Sequence, residues 1–133
     1  MIKENEETFS YGSFKNGELE YRGLSFKGKD LYYGEWKHGK LECQPGLELT
    51  SRDLYFGGWE DGQKDGEGIY LKRNSGKITK GNWKSGFLEG KMNSLSKDKL
   101  ECEIWENKQP KEKVYTFDLN DKTITRYKEE KKA

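Results

Sequence analysis

Apolar and polar residues alternate along most of this chain with a period of two. Tyr32, Gly34 and Trp36 form one alternating trio and Tyr55, Gly57 and Trp59 another. Such a trio falls on one face of a β-strand. Residues 9–125 show no helical periodicity. Each trio runs into a tight-turn signal: Asn16-Gly17, His38-Gly39, Asp61-Gly62, Ser85-Gly86 and, most weakly, Asn107-Lys108. Asn-Gly and Asp-Gly are strong type I′ hairpin signals because both central residues need positive φ; the fifth turn is expected to be longer or irregular. A second strand follows each turn. A second class of turn then closes the unit, at 27–29, 51–53, 74–76, 96–98 and 120–122, each followed by an aliphatic residue: Leu31, Leu54, Ile78, Leu100 and Ile124. The pattern predicts a meander of about ten strands with a half-unit at 123–128, roughly 45–50 Å long at ~4.8 Å per strand.

The units repeat. Gly-x-aromatic-x-x-Gly occurs with Gly12, Phe14 and Gly17, with Gly34, Trp36 and Gly39, with Gly57, Trp59 and Gly62, and with Gly81, Trp83 and Gly86. A fifth copy keeps only Trp105. The aromatic positions lie 22, 23, 24 and 22 residues apart, a period typical of stacked repeats. We place repeats at about 9–30, 31–53, 54–77, 78–99 and 100–122, within a repeat domain of 9–125. An extension, 1–8, precedes it and a charged tail, 126–133, follows, read as a short helix or a frayed end. The central glycine of each trio leaves bare backbone on which an aromatic ring from the next repeat is expected to lie. Pro110 and its Lys-Glu surroundings are expected to blunt an exposed edge.

Composition changes this picture in one respect. Of 133 residues, 31% are hydrophobic and 37% charged, with a mean hydropathy of −1.18. Such polarity alone suggests disorder. The aromatic content of 14%, held at fixed phase, argues instead for a thin fold with a mostly aromatic core. The net charge of +1 supplies no field that would draw nucleic acid. No apolar stretch reaches membrane-spanning length, and the start reads as neither a secretory signal nor a transit peptide. Cys43 and Cys102 form no CxxC motif, so a reducing, intracellular and cytoplasmic setting is expected.

The segment Tyr55-Phe56-Gly57-Gly58-Trp59-Glu60-Asp61-Gly62-Gln63-Lys64-Asp65-Gly66-Glu67-Gly68 resembles the MORN (membrane occupation and recognition nexus) repeat. That family's pattern is Tyr-x-Gly-x-Trp-x-x-Gly followed by Gly-x-Gly. Repeats two and four match it well, repeat one carries Phe14 in place of Trp, and repeat five lacks the glycines. The resemblance covers about residues 9–125. It implies an all-β, elongated, single-layer twisted antiparallel sheet of about five stacked β-hairpins. It also implies non-enzymatic roles in scaffolding, protein docking and dimerisation, in cytoskeletal or ciliary and axonemal assemblies among others, and sometimes at membranes.

The residues themselves offer little chemistry. His38, the only histidine, falls at a turn, and the two thiols and the many carboxylates form no cluster. No catalytic, cofactor or metal site and no small-molecule substrate is expected. Gly66-Glu67-Gly68 lacks the following helix of a phosphate loop. The Gly and Trp positions read as architecture. Function falls to the opposite strand face, where Tyr11, Leu31, Tyr33, Leu54, Phe56 and Ile104, together with Ile78 and Leu100, form an apolar set expected to bind a partner helix or a second copy of the chain. Packing of Tyr33 and Phe56 under the chain's own tail is the competing reading. A second functional reading is contact with anionic lipid through Lys37, Lys40, Lys64, Lys72, Arg73, Lys77, Lys80 and Lys84, but acids are interleaved among these.

Overall fold

The computed structural model describes residues 2–4 and 8–127, so the end of the tail, 128–133, lies outside the described residues. Five hairpins make up its body. They are β2 (Thr8–Lys15) with β3 (Glu18–Lys27), β4 (Asp30–Lys37) with β5 (Lys40–Leu41) and β6 (Cys43–Leu49), β7 (Asp53–Glu60) with β8 (Gln63–Lys72), β9 (Lys77–Lys84) with β10 (Phe87–Leu95), and β11 (Lys99–Glu106) with β12 (Gln109–Asp118). The short strands β1 (Ile2–Glu4) and β13 (Ile124–Arg126) close the two ends. All pairings are antiparallel between successive strands, giving one open, single-layer sheet; β5 and β6 are two pieces of one strand, both paired with β4. No described residue is helical. The sheet reaches further at both ends than periodicity suggests. Thr8 already belongs to β2, Ile2–Glu4 pairs with Phe9–Tyr11, and Arg126 of the expected tail pairs with Tyr115.

All five hairpin turns are two residues long with both residues at positive φ, including Asn107 (φ 56°) and Lys108 (φ 67°). The fifth turn is therefore regular, which corrects the expectation of an irregular one. The strand register on either side fixes the loop length, and Lys108 accepts the left-handed conformation that glycine supplies elsewhere.

The uneven repeat period has a local cause at each step. The basic unit is 22 residues. The step of 23 contains the break between β5 and β6, where Cys43 pairs with Trp59 but the next partners are Gly46 and Gly57. The step of 24 contains the turn Arg73–Gly76, four residues between the paired Lys72 and Lys77, where the first linking turn holds only Gly28 and Lys29 between Lys27 and Asp30. Both insertions fall outside the ring positions, so the stacking phase survives them.

One face of the sheet, here called the aromatic face, carries the core: Leu19, Trp36, Leu41, Tyr55, Trp59 and Trp83, with Phe14, Tyr32, Cys43, Tyr70 and Leu88 packed against it. Trp59 lies edge-on to Tyr32 (6.4 Å) and Tyr55 (5.5 Å), and Trp83 lies edge-on to Tyr55 at 5.0 Å and tilted against Tyr70 at 6.5 Å. Trp59 thus bridges its own repeat and the one before, and Trp83 packs on two rings of the repeat before it. The glycines form the floor, but rings are only part of what covers it. Trp59 covers Gly46 and Tyr55 covers Gly57 and Gly68 from its own hairpin, whereas Leu19 lies over Gly12 and Gly23, Leu41 and Cys43 over Gly34, and Leu88 and Met92 over Gly81. The expectation of a next-repeat ring on every glycine is corrected accordingly: at most positions the cover is an aliphatic residue five positions after the motif aromatic.

Successive hairpins are clamped along their turns. The turn glycines donate to the strand before: Gly39 N to Leu19 O (3.1 Å), Gly62 N to Leu41 O (2.9 Å) and Gly86 N to Lys64 O (2.8 Å). Beside each, an acid six positions after the previous motif aromatic accepts from the preceding turn residue: Glu20 from His38 N (3.2 Å), Glu42 from Asp61 N (3.0 Å) and Asp65 from Ser85 N (3.2 Å). Charged acceptors make the stronger class of hydrogen bond, and these bonds satisfy turn amides that strand pairing leaves open.

Candidate interaction face

On the face opposite the rings, cross-strand register builds one unbroken apolar row. Phe9 pairs with Phe26, Phe26 with Leu31, Leu31 with Leu49, Leu49 with Leu54, and Leu54 with Leu71. The row continues through Ile78, Leu95, Leu100 and Phe117 to Ile124. A second row runs beside it through Tyr11, Leu24, Tyr33, Leu47, Phe56 and Ile69, then turns polar at Lys80 and Asn93. Many of these residues are substantially exposed, among them Tyr11, Phe26, Tyr33, Phe56, Ile69, Ile78, Leu95 and Ile124. The sheet is a single layer, and no second described element packs over this face.

The structure places the sequence-derived candidates on this face in two groups. Leu31 and Leu54, with Ile78 and Leu100, belong to the first row, and Tyr11, Tyr33 and Phe56 to the second. Ile104 stands apart, opposite Lys91 on β11. Sequence reading missed half of the first row. Each linking turn is flanked by two apolar residues, one before and one after; only the later one stood out, while Phe26, Leu49, Leu71, Leu95 and Phe117 did not. Mirror symmetry about each turn was the available signal.

The aromatic face holds the polar chemistry. Lys64 occupies the position that is Leu19, Leu41 or Leu88 in other repeats. Its ammonium lies 2.9 Å from Glu48 and 5.3 Å from the Tyr55 ring. This pair lines a hollow of about 310 Å³ with Lys27, Tyr32, Trp36 and Trp59. Burial, then the Glu48 carboxylate, pushes the Tyr32 hydroxyl up to about 12. Burial likewise pushes Tyr55 and Tyr70 to about 12, with the Asp65 charge adding at Tyr55 and a hydrogen bond to Asp53 adding at Tyr70. Trp36 Nε1 donates to Gly23 O at 2.8 Å, whereas Trp59 Nε1 is buried beside Gly46 without a partner; the extra residue between β5 and β6 lies just there.

Cys43 is half-buried in β6 and Cys102 fully buried in β11; burial is the main force raising both thiols above their ordinary value. His38 is exposed at its turn. Among the described residues no group of three or more His, Cys, Asp or Glu side chains is placed to hold a metal ion, and no helix is long and apolar enough to cross a membrane. The basic residues do not share a face: Lys80 sits in the second apolar row, while Lys64 projects over the aromatic rings. No protein-family model matches the chain, and no curated protein matches it.

Proposed function

We propose that this chain is a non-enzymatic scaffold subunit of MORN-repeat type that docks a protein partner on its apolar-row face as part of a larger assembly. The observation that carries this reading is the unbroken row from Phe9 to Ile124 on a face that no other described element covers. Proteins rarely leave so long an apolar strip in water, and such strips mark interaction sites. Half-exposed Leu and Ile side chains supply the apolar contact, and the polar rim that includes Arg22 and Glu35, paired at 3.5 Å, supplies orientation. The aromatic face serves as the spine that keeps the row straight.

Affinity isolation of the tagged chain from its native cells, beside a Phe56→Lys variant, tests the proposal. The expected result is a defined complex with the unaltered chain and its loss with the variant, both proteins being folded. Identical complexes from the two would contradict it.

A further inference from the structure

A separate site lies on the aromatic face, independent of the docking reading. We infer that the hollow between Trp83 and Trp105 binds a small aromatic acid: one flat ring that carries a hydroxyl or N–H at one end and a carboxylate at the other.

The repeat supplies the first argument. The residue four positions before each motif aromatic is Ser10, Tyr32, Tyr55, Thr79 and Glu101 in turn. In the third repeat its ring sits between two tryptophans, 5.5 Å from Trp59 and 5.0 Å from Trp83. One repeat further on, the same place between Trp83 and Trp105 falls to Thr79, which brings no ring, and among the described residues no ring pairs with Trp105. The result is a hollow of about 250 Å³ with Tyr70, Trp83, Leu88, Met92 and Trp105 as its apolar lining. An apolar cavity of roughly 150 Å³ takes up benzene, so this one has room for a ring with two substituents.

An unpartnered hydroxyl is the second. Thr79 lines the hollow and is only 8% exposed, and among the described residues its hydroxyl has no hydrogen-bond partner. The first hairpin gives the contrast. Ser10 and Ser25 hold the corresponding cross-strand places and bond each other at 2.9 Å, whereas Thr79 and its partner Ser94 do not. A buried hydroxyl left unbonded is costly, and a carboxylate oxygen beside Thr79 would accept from it.

Charge is the third. Lys72 and Lys77, a cross-strand pair, line the same hollow, and neither is in an ion pair among the described residues. At the other end stands Glu103, in place of the motif glycine, accepting only from Trp105 Nε1 at 3.2 Å. Its second oxygen can accept from a ring hydroxyl or N–H. Lys77 and Gly81, the motif glycine of the same strand, are four residues or ~13 Å apart, which spans a ring with a substituent at each end. The neighbouring hollow beside Trp36 and Trp59 is closed to the same ligand, because Lys64 there is already held by Glu48 at 2.9 Å.

A nuclear magnetic resonance titration with 4-hydroxyphenylacetate tests the site, read at the four tryptophan indole N–H signals. The expected result is a saturable shift at Trp83 and Trp105, half complete at or below about 1 mM, with Trp36 and Trp59 still. Thr79→Tyr fills the hollow from within, and the folded variant should lose the shifts. If Thr79→Tyr does not fold, Trp105→Ala takes its place and should weaken the Trp83 response at least about tenfold. The double variant Lys72→Gln/Lys77→Gln should bind the acid about tenfold more weakly and bind p-cresol, which has no carboxylate, as the unaltered chain does. No saturable shift, equal shifts at all four indoles, or undiminished binding by folded Thr79→Tyr or Trp105→Ala overturns the site. Undiminished binding of the acid by the lysine variant overturns the acid as its ligand.

Discussion

Tyr21 holds a backbone conformation that its side chain disfavours. It sits at φ 65° in the bulge of the first hairpin, 68% exposed, where the third and fourth hairpins have Gly66 (φ 98°) and Gly90 (φ 84°). A left-handed non-glycine residue costs roughly 1–2 kcal/mol. Tyr21→Gly is therefore expected to stabilise the fold by about 1 kcal/mol after the added chain entropy of glycine is subtracted, read as a higher denaturant midpoint at unchanged slope. The tyrosines of the aromatic face make a second statement at this scale. With Tyr32, Tyr55 and Tyr70 raised to about 12, the fold favours their neutral form. Their contribution is intact below the ordinary tyrosine pKa of ~10 and is lost as pH climbs through about 12. Ultraviolet titration should show these three ionising well above pH ~10 and together with unfolding; their ionisation at the ordinary value would contradict their burial.

At the scale of the hairpin, stability is passed from one unit to the next by the turn clamps and the shared rings. Strands touch substantially only their sheet neighbours, so a lost clamp is felt locally. Glu42→Ala removes the acceptor of Asp61 N and is expected to cost about 1 kcal/mol, with faster hydrogen exchange confined to the 61–62 turn. Trp59→Ala, in contact with rings of two repeats, is expected to cost about 3–5 kcal/mol. Trp105, half-buried at the end of the ring series and bonded to Glu103, should cost clearly less. Equal losses at the two sites in a denaturation series would show that ring position along the stack does not matter.

The hairpins were legible in the sequence because their signals are local: period-two alternation, paired turn residues and a fixed phase. The all-β meander followed from these, and the single layer was what the resemblance to a known repeat implied. What escaped depends on pairing between strands. The acids of the clamps, Glu20, Glu42 and Asp65, look like ordinary solvated charge until the next turn is laid against them. Lys64 at a leucine position is explained only by Glu48, which register brings from two strands away. Half of the apolar row was likewise hidden, since no single strand shows that Leu49 and Leu71 flank Leu54.

Across the whole molecule, the two faces divide the labour. Rings and glycines fill one, and the other presents an apolar strip that runs from β2 to β13. The C-terminal edge of the sheet is poorly suited to further strand pairing. β13 covers only Tyr115–Phe117 of β12, and the remainder of that edge carries Pro110, Lys111, Glu112 and Lys113, which discourage strand addition. Growth by pairing at this edge is disfavoured, which leaves the apolar face as the larger open surface for assembly. Hydroxyl-radical footprinting, comparing the chain alone at high dilution with the chain in its assembled state, tests that claim most directly. Protection on assembly should appear at Phe26, Tyr33, Ile78 and Leu95, with Tyr32, Trp59 and Trp83 unchanged; protection of the aromatic face, with the apolar row still reactive, would contradict it.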